Sequence, residues 1–176
     1  AKVKHLMDEP GQRSSHEEIT PSLGGIAIFA GVVISIVLWT PFELFGNLQY
    51  ILASFTIIFL IGVKDDILPM SPGRKFAGEF LAAMILVTQS NIRISSFHGL
   101  FGINEIDYWV SIAVTLVTIL LIINAFNLID GINGLTGMLS ALITVFFTSW
   151  FFLVDELALS LISFSTTGAC IGFLYY

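Results

Sequence analysis

Long stretches without a single charged side chain constrain this sequence more than any other feature. Ser22–Thr40, Leu48–Val63, Tyr108–Ile129, Gly131–Val154 and Leu157–Tyr176 all qualify, and Phe76–Ile92 is broken by Glu79 alone. Each is close to the ~20 apolar residues that cross the hydrocarbon core of a bilayer as a helix. None alternates between apolar and polar positions, as the strands of a membrane barrel do. Charged residues make up 11% of the chain, against roughly 25% in an average soluble domain, too few to cover a folded globule of this size. Disorder is excluded by the same arithmetic, because 56% of the residues are hydrophobic. Thirteen acidic against seven basic side chains, a net charge of −6, speak against nucleic acid as a partner. The expected fold class is therefore all-α and integral to the membrane: a polytopic bundle of about six spans, near 22–40, 48–63, 73–90, 108–126, 135–154 and 157–176. Residues 1–176 read as one membrane domain, with both ends apparently cut, since the chain starts at Ala1 and stops inside an apolar run.

Six spans sort the connecting segments onto alternating sides. Residues 1–21, Lys64–Lys75 and Asn127–Asn133 share one side; Pro41–Asn47, Asn91–Asp107 and Asp155–Glu156 share the other. Lys2, Lys4, Arg13, Lys64, Arg74 and Lys75 fall on the first side, and Arg93 alone on the second, so the positive-inside rule makes the first side cytoplasmic. In the outer segment, Ile92-Arg93-Ile94-Ser95 alternates and His98-Gly99 can turn the chain, which predicts a short β-hairpin there.

The unusual polar residues all sort to the cytoplasmic side. Asp65-Asp66 follows an apolar run directly, and two adjacent carboxylates favour a divalent cation or a raised pKa on one of them. A solvated turn ending a span is the plainer reading. Asn124, Asn127, Asp130 and Asn133 interrupt another apolar run, with Gly131 and Gly134 permitting an irregular turn; polar groups at such depth are costly unless paired or facing a cavity. Their amide and carboxylate oxygens are hard donors suited to Mg²⁺. Lys64, Arg74 and Lys75 either hold phosphates or fix topology against anionic headgroups. Glu79 is read as an i,i+4 partner of Lys75 or as a buried functional carboxylate. Gly24-Gly25 either permits close helix packing or opens a site to substrate. On these residues alone, an ion-coupled transporter with Asp65, Asp66 and Asp130 as a cation relay stands as the alternative to an enzyme.

Three segments together resemble the polyprenyl-phosphate N-acetylhexosamine-1-phosphate transferase family: Thr20-Pro21-Ser22-Leu23-Gly24-Gly25, Gly62-Val63-Lys64-Asp65-Asp66-Ile67-Leu68 through Lys75, and Asn124-Ala125-Phe126-Asn127-Leu128-Ile129-Asp130-Gly131-Ile132-Asn133-Gly134. The resemblance implies a helical membrane enzyme that uses Mg²⁺ or Mn²⁺. Its reaction moves an N-acetylhexosamine 1-phosphate, GlcNAc-1-phosphate by preference, from a UDP-sugar to polyprenyl phosphate and releases UMP for envelope polysaccharide synthesis. It further implies a multi-pass protein of the bacterial cytoplasmic membrane with its site facing the cytoplasm. Membrane lipid is then a partner, and a homodimer is compatible with the reading. Residue by residue, Asp65, Asp66 and Asp130 match the catalytic acids, and Asn127, with Asp65 and Asp66, matches the metal ligands. Lys75 matches a phosphate-contacting lysine, and Gly131, Ile132 and Asn133 match the strip that lines the uracil pocket; many bacterial members carry Asp where Asn133 stands. A Gly-Asp-Thr-Gly-type segment and a His-rich loop are expected beyond Tyr176.

Overall fold

The computed structural model describes residues 7–8, 20–21, 24–46, 48–130 and 134–175. Six helices carry the described chain: α1 Gly24–Trp39, α2 Leu48–Ile67, α3 Pro72–Gln89, α4 Tyr108–Ile129, α5 Leu135–Leu153 and α6 Leu157–Tyr175. A two-residue antiparallel ladder near the N-terminus pairs β1, Met7–Asp8, with β2, Thr20–Pro21. Among the described helices α4, α5 and α6 are long and apolar enough to cross a membrane, and α1 is a shorter apolar helix. Large side chains such as Val117, Leu121 and Ile122 of α4 stand exposed. An apolar surface of that extent belongs against lipid or protein. The chain is a multi-pass membrane protein built of helices.

It packs as two compact units. One comprises residues 1–46 and 126–176. Within it α6 lies against both α1 and α5. A Cβ at Gly24 would run into the Phe173 ring, so this glycine lets α1 approach α6 closely. Between α5 and α6, Thr167 donates its hydroxyl to Thr144 Oγ1 at 2.8 Å and Ser160 donates to the Thr148 carbonyl at 3.0 Å. Hydroxyls of this kind hold helices together where lipid gives no hydrophobic drive.

The second unit, residues 47–125, contains α2, α3 and most of α4. Ala83, Val87 and Leu116 form its core, with Met84, Ile112 and Ile119 packed around them. Small residues on α3 allow the close approach: Ala82 and Ala83 are buried, and a Cβ on Gly78 would meet Ile61 of α2.

The loop between α3 and α4 does not form the expected hairpin. Ser96 and Glu105 make one isolated antiparallel bridge, and Leu100–Gly102 turns as a 3₁₀ element. The reason lies in where the backbone groups go. The amide of Ile94 donates to Thr115 Oγ1 at 2.9 Å, and its carbonyl accepts from Ser111 Oγ at 2.6 Å. Ile94 has thus spent its hydrogen bonds on α4, and the backbone pairing across the loop is confined to the short stretch beyond it, where the Ile106 amide donates to the Ser95 carbonyl at 3.0 Å and the Phe97 amide to the Asn104 carbonyl at 2.8 Å. Arg93 secures the same segment, with its guanidinium 4.9 Å from the Tyr108 ring centroid and Nη1 donating to Ser111 Oγ at 3.3 Å.

Candidate active site

The apolar stretch of α2 ends at Val63, but the helix does not. Lys64, Asp65 and Asp66 form its polar last turn, closed by the Leu68 amide donating to the Lys64 carbonyl at 2.8 Å. The acidic pair, expected in a turn, is helical. Carboxylates at a helix C-terminus oppose the negative end of the macrodipole, so they require nearby cations. The short connection that follows supplies one. Pro72 opens α3 at a position where its missing N–H costs nothing, and Ser71 precedes it in an extended conformation. The amides of Arg74 and Lys75 both donate to the Ser71 carbonyl, at 3.0 and 3.2 Å.

This tight connection turns Lys75 back onto α2. Its ammonium donates to Asp65 Oδ2 at 2.8 Å, while the Met70 amide donates to Oδ1 at 2.8 Å. Both carboxylate oxygens are therefore held, one by a charge and one by the loop backbone. The Lys75 hydrogen bond above all, then that from Met70, hold the Asp65 carboxyl below its ordinary range, against a smaller opposing effect of burial. Asp66 is exposed on the same turn.

One turn along α3 from Lys75, Glu79 points elsewhere. It is buried, and Asn124 of α4 donates its Nδ2 to Glu79 Oε2 at 3.3 Å while also donating to the Leu120 carbonyl at 2.8 Å. The i,i+4 ion pair with Lys75 does not form, because Asp65 takes the ammonium. This interhelical pair was not legible as such; two polar residues isolated in apolar helices were the signal that it existed.

Of the predicted residues, the structure brings Asp65 and Lys75 together with Asp66 beside them. Asn127 lies on the last turn of α4 and Asp130 just past it, both exposed and both in the other unit. Gly131, Ile132 and Asn133 lie outside the described residues. Gly134 takes a left-handed conformation, φ 72°, and starts α5.

Among the described residues, no group of three or more His, Cys, Asp or Glu side chains is poised around a metal. The donor chemistry nevertheless suits Mg²⁺. That ion is usually held by one or two carboxylates together with substrate phosphates and water, not by an all-protein cage. Asp65 and Asp66 supply such carboxylates, and the oxygens of Asp65 keep lone pairs beyond the two in use. The acids stand on the final turn of an unbroken helix, whereas a transporter's coupling site is typically built at mid-membrane on discontinuous ones.

Comparison with known proteins gives a consistent result. The glycosyl transferase family 4 profile matches residues 48–176. A probable undecaprenyl-phosphate N-acetylglucosaminyl 1-phosphate transferase of Bacillus subtilis is 32% identical over 91 residues, 52% of this chain and 25% of the relative. A decaprenyl-phosphate N-acetylglucosaminephosphotransferase of Mycobacterium leprae is 31% identical over 116 residues, 61% of this chain and 29% of the relative. An undecaprenyl-phosphate alpha-N-acetylglucosaminyl 1-phosphate transferase of Thermotoga maritima is 32% identical over 97 residues, 55% of this chain and 30% of the relative. The chain thus spans less than a third of the length of these relatives. No solved structure matches it.

Proposed function

The chain belongs to glycosyl transferase family 4, and from that premise we propose that the protein transfers N-acetylglucosamine 1-phosphate from UDP-N-acetylglucosamine to a polyprenyl phosphate, releasing UMP. The relatives' names support the acceptor and the transferred group. The observation in this chain that carries the reading is the Lys75–Asp65 pair with Asp66 beside it, at the polar end of the α2–α3 hairpin. A cation and two hard oxygen donors at a membrane boundary suit a reaction between a water-borne diphosphate and a lipid-borne phosphate. The excess of basic residues on this side supports a reading in which this end faces the cytoplasm of a bacterial cell.

In the proposed reaction an oxygen of the lipid phosphate forms a bond to the β-phosphorus of the nucleotide sugar. The bond from that phosphorus to the bridging oxygen breaks, and the bridging oxygen leaves with UMP. A phosphate monoester has its second pKa near 6, so at neutral pH the nucleophile is already mostly dianionic and a strong general base is unnecessary. Asp65, held low by Lys75, is unsuited to that task; its role is to hold the ammonium and to offer oxygen ligands. Lys75 binds the diphosphate by exchanging its carboxylate partner for phosphate oxygens. Mg²⁺ or Mn²⁺, held by Asp65 and Asp66, would neutralise charge on the diphosphate and on departing UMP; Asn127 is a ligand position by family resemblance alone. Asp130 is the remaining acid assigned to catalysis, and Gly131, Ile132 and Asn133 contact the uracil.

The test is lipid-dependent UMP release by the complete protein supplied with UDP-N-acetylglucosamine, polyprenyl phosphate and Mg²⁺. Release should require all three and should fall strongly in Asp66→Asn and Lys75→Met. UMP release without lipid dependence, or unchanged in both variants, contradicts the proposal.

A further inference from the structure

Glu79 is absorbed by none of the roles above, yet it is among the most buried side chains of its unit, with 3% of its surface accessible. A carboxylate in an apolar helix is costly to bury and persists where a partner offsets the cost. Its partner is Asn124, on a different helix. Asn124 is fully committed as a donor: one N–H goes to the Leu120 carbonyl of its own helix and the other to Glu79. The amide is thereby fixed in rotation as well as position.

The two helices explain why this point needs fixing. Apolar packing of Ala83, Val87 and Leu116 holds α3 to α4 through the middle of the hairpin. At one end, Arg93 and Ile94 are bonded to Ser111 and Thr115. At the other end the Glu79–Asn124 hydrogen bond joins the helices. Apolar contacts allow a helix to slide or rotate by small amounts, whereas a hydrogen bond to a buried carboxylate sets one register. From Glu79, Lys75 lies one turn back along α3.

We propose that Glu79 is a positioning residue. Through Asn124 it locks the register of α3 against α4 within this unit, and so sets the axial and rotational placement of the α3 turn that carries Lys75, whose ammonium holds Asp65. The inference rests on the assignment of Asp65 and Asp66 as metal ligands and of Lys75 as a phosphate contact. Glu79 itself touches neither substrate nor metal. Groups that orient a ligand from behind typically change metal affinity by roughly 10–100-fold when removed.

The test uses the complete protein in detergent or nanodiscs, with Mn²⁺ as the probe, its binding followed by electron paramagnetic resonance. Glu79→Leu keeps the bulk and removes the acceptor; Glu79→Gln keeps an acceptor for Asn124 and removes the charge. Glu79→Leu should weaken Mn²⁺ binding by at least about 10-fold and raise the metal concentration for half-maximal UMP release to match, with the KM for lipid unchanged. Glu79→Gln should restore Mn²⁺ affinity to within a few-fold of the parent. A purely structural role lowers the amount of folded protein and leaves the affinity of the folded fraction alone. Equal Mn²⁺ affinity in the parent and Glu79→Leu, including none in either, overturns the proposal, as does a Gln variant as impaired as Leu. Absence of UMP release by the parent counts against the proposed reaction; the Mn²⁺ comparison still decides the role of Glu79.

Discussion

Replacing Lys75 with Met keeps the aliphatic stem and removes the ammonium that Asp65 accepts from at 2.8 Å. At that distance two unit charges attract by about 6 kcal/mol in an effective dielectric near 20. Most of this is cancelled, because both side chains give up hydration and conformational freedom. The Lys75 and Asp65 side chains remain 30% and 25% accessible, so the net value belongs between an exposed pair and a buried one, about 1 kcal/mol. The pH dependence carries the sharper signature. The folded-state pKa of Asp65 is lowered, chiefly by Lys75. The stability it contributes is therefore complete above the unfolded carboxylate pKa near 4 and is lost as pH falls through the folded value. Thermal unfolding of parent and Lys75→Met protein, measured from pH 7 downward in the same detergent, should show the variant melting a few degrees lower at neutral pH. The gap should close on acidification. A gap that stays constant to low pH, or no gap at pH 7, would refute the assignment of Lys75 as the group that holds Asp65.

Three further outcomes follow from named contacts. Asp65→Asn and Asp66→Asn should each reduce turnover by about 100-fold or more, in the range found when one electrostatic stabiliser is removed, with membrane insertion unchanged by protease-protection mapping; near-parent turnover in either removes that residue from the chemistry. Gly78→Val should press on Ile61 and cost about 1–3 kcal/mol by overpacking, and adding Ile61→Ala should recover part of the loss in a thermal-shift assay; no recovery would show that the two side chains do not compete. Thr167→Val removes the hydroxyl that bonds Thr144 across α5 and α6 and should cost about 0.6 kcal/mol, read by thermal unfolding; a stabilised variant would show the bond is not formed in the membrane.

The helices were legible because apolar length is a property of local sequence. The charge-free windows coincide with α1, α2, α4, α5 and α6 to within a few residues, and α3 survives its interruption by Glu79. Features that depend on which faces meet were not legible. Lys64, Asp65 and Asp66 look like a loop until Lys75 is seen to offset their charge at the end of α2. Glu79 looks like a partner for Lys75 until Asn124 comes across from α4. The alternation at Ile92–Ser95 resembles a strand, but Ser111 and Thr115 take up the hydrogen bonds of Ile94. The candidate site was legible as chemistry, in the acidic pair and the basic residues beside it, but not as geometry. That Asp65 is the acid whose two oxygens are bound by Lys75 and Met70 became apparent only once the connection between α2 and α3 was traced.

The central claim is that the β-phosphorus of the nucleotide sugar passes to a lipid phosphate. UDP-N-acetylglucosamine labelled with ³²P at the β position, given to membranes containing the complete protein and polyprenyl phosphate, tests this directly. The account predicts label in the organic extract as a sugar diphosphate lipid, matched by unlabelled UMP in water and abolished in Asp66→Asn. Label that stays with the nucleotide, or is released as free phosphate or free sugar phosphate while no lipid becomes labelled, would contradict it.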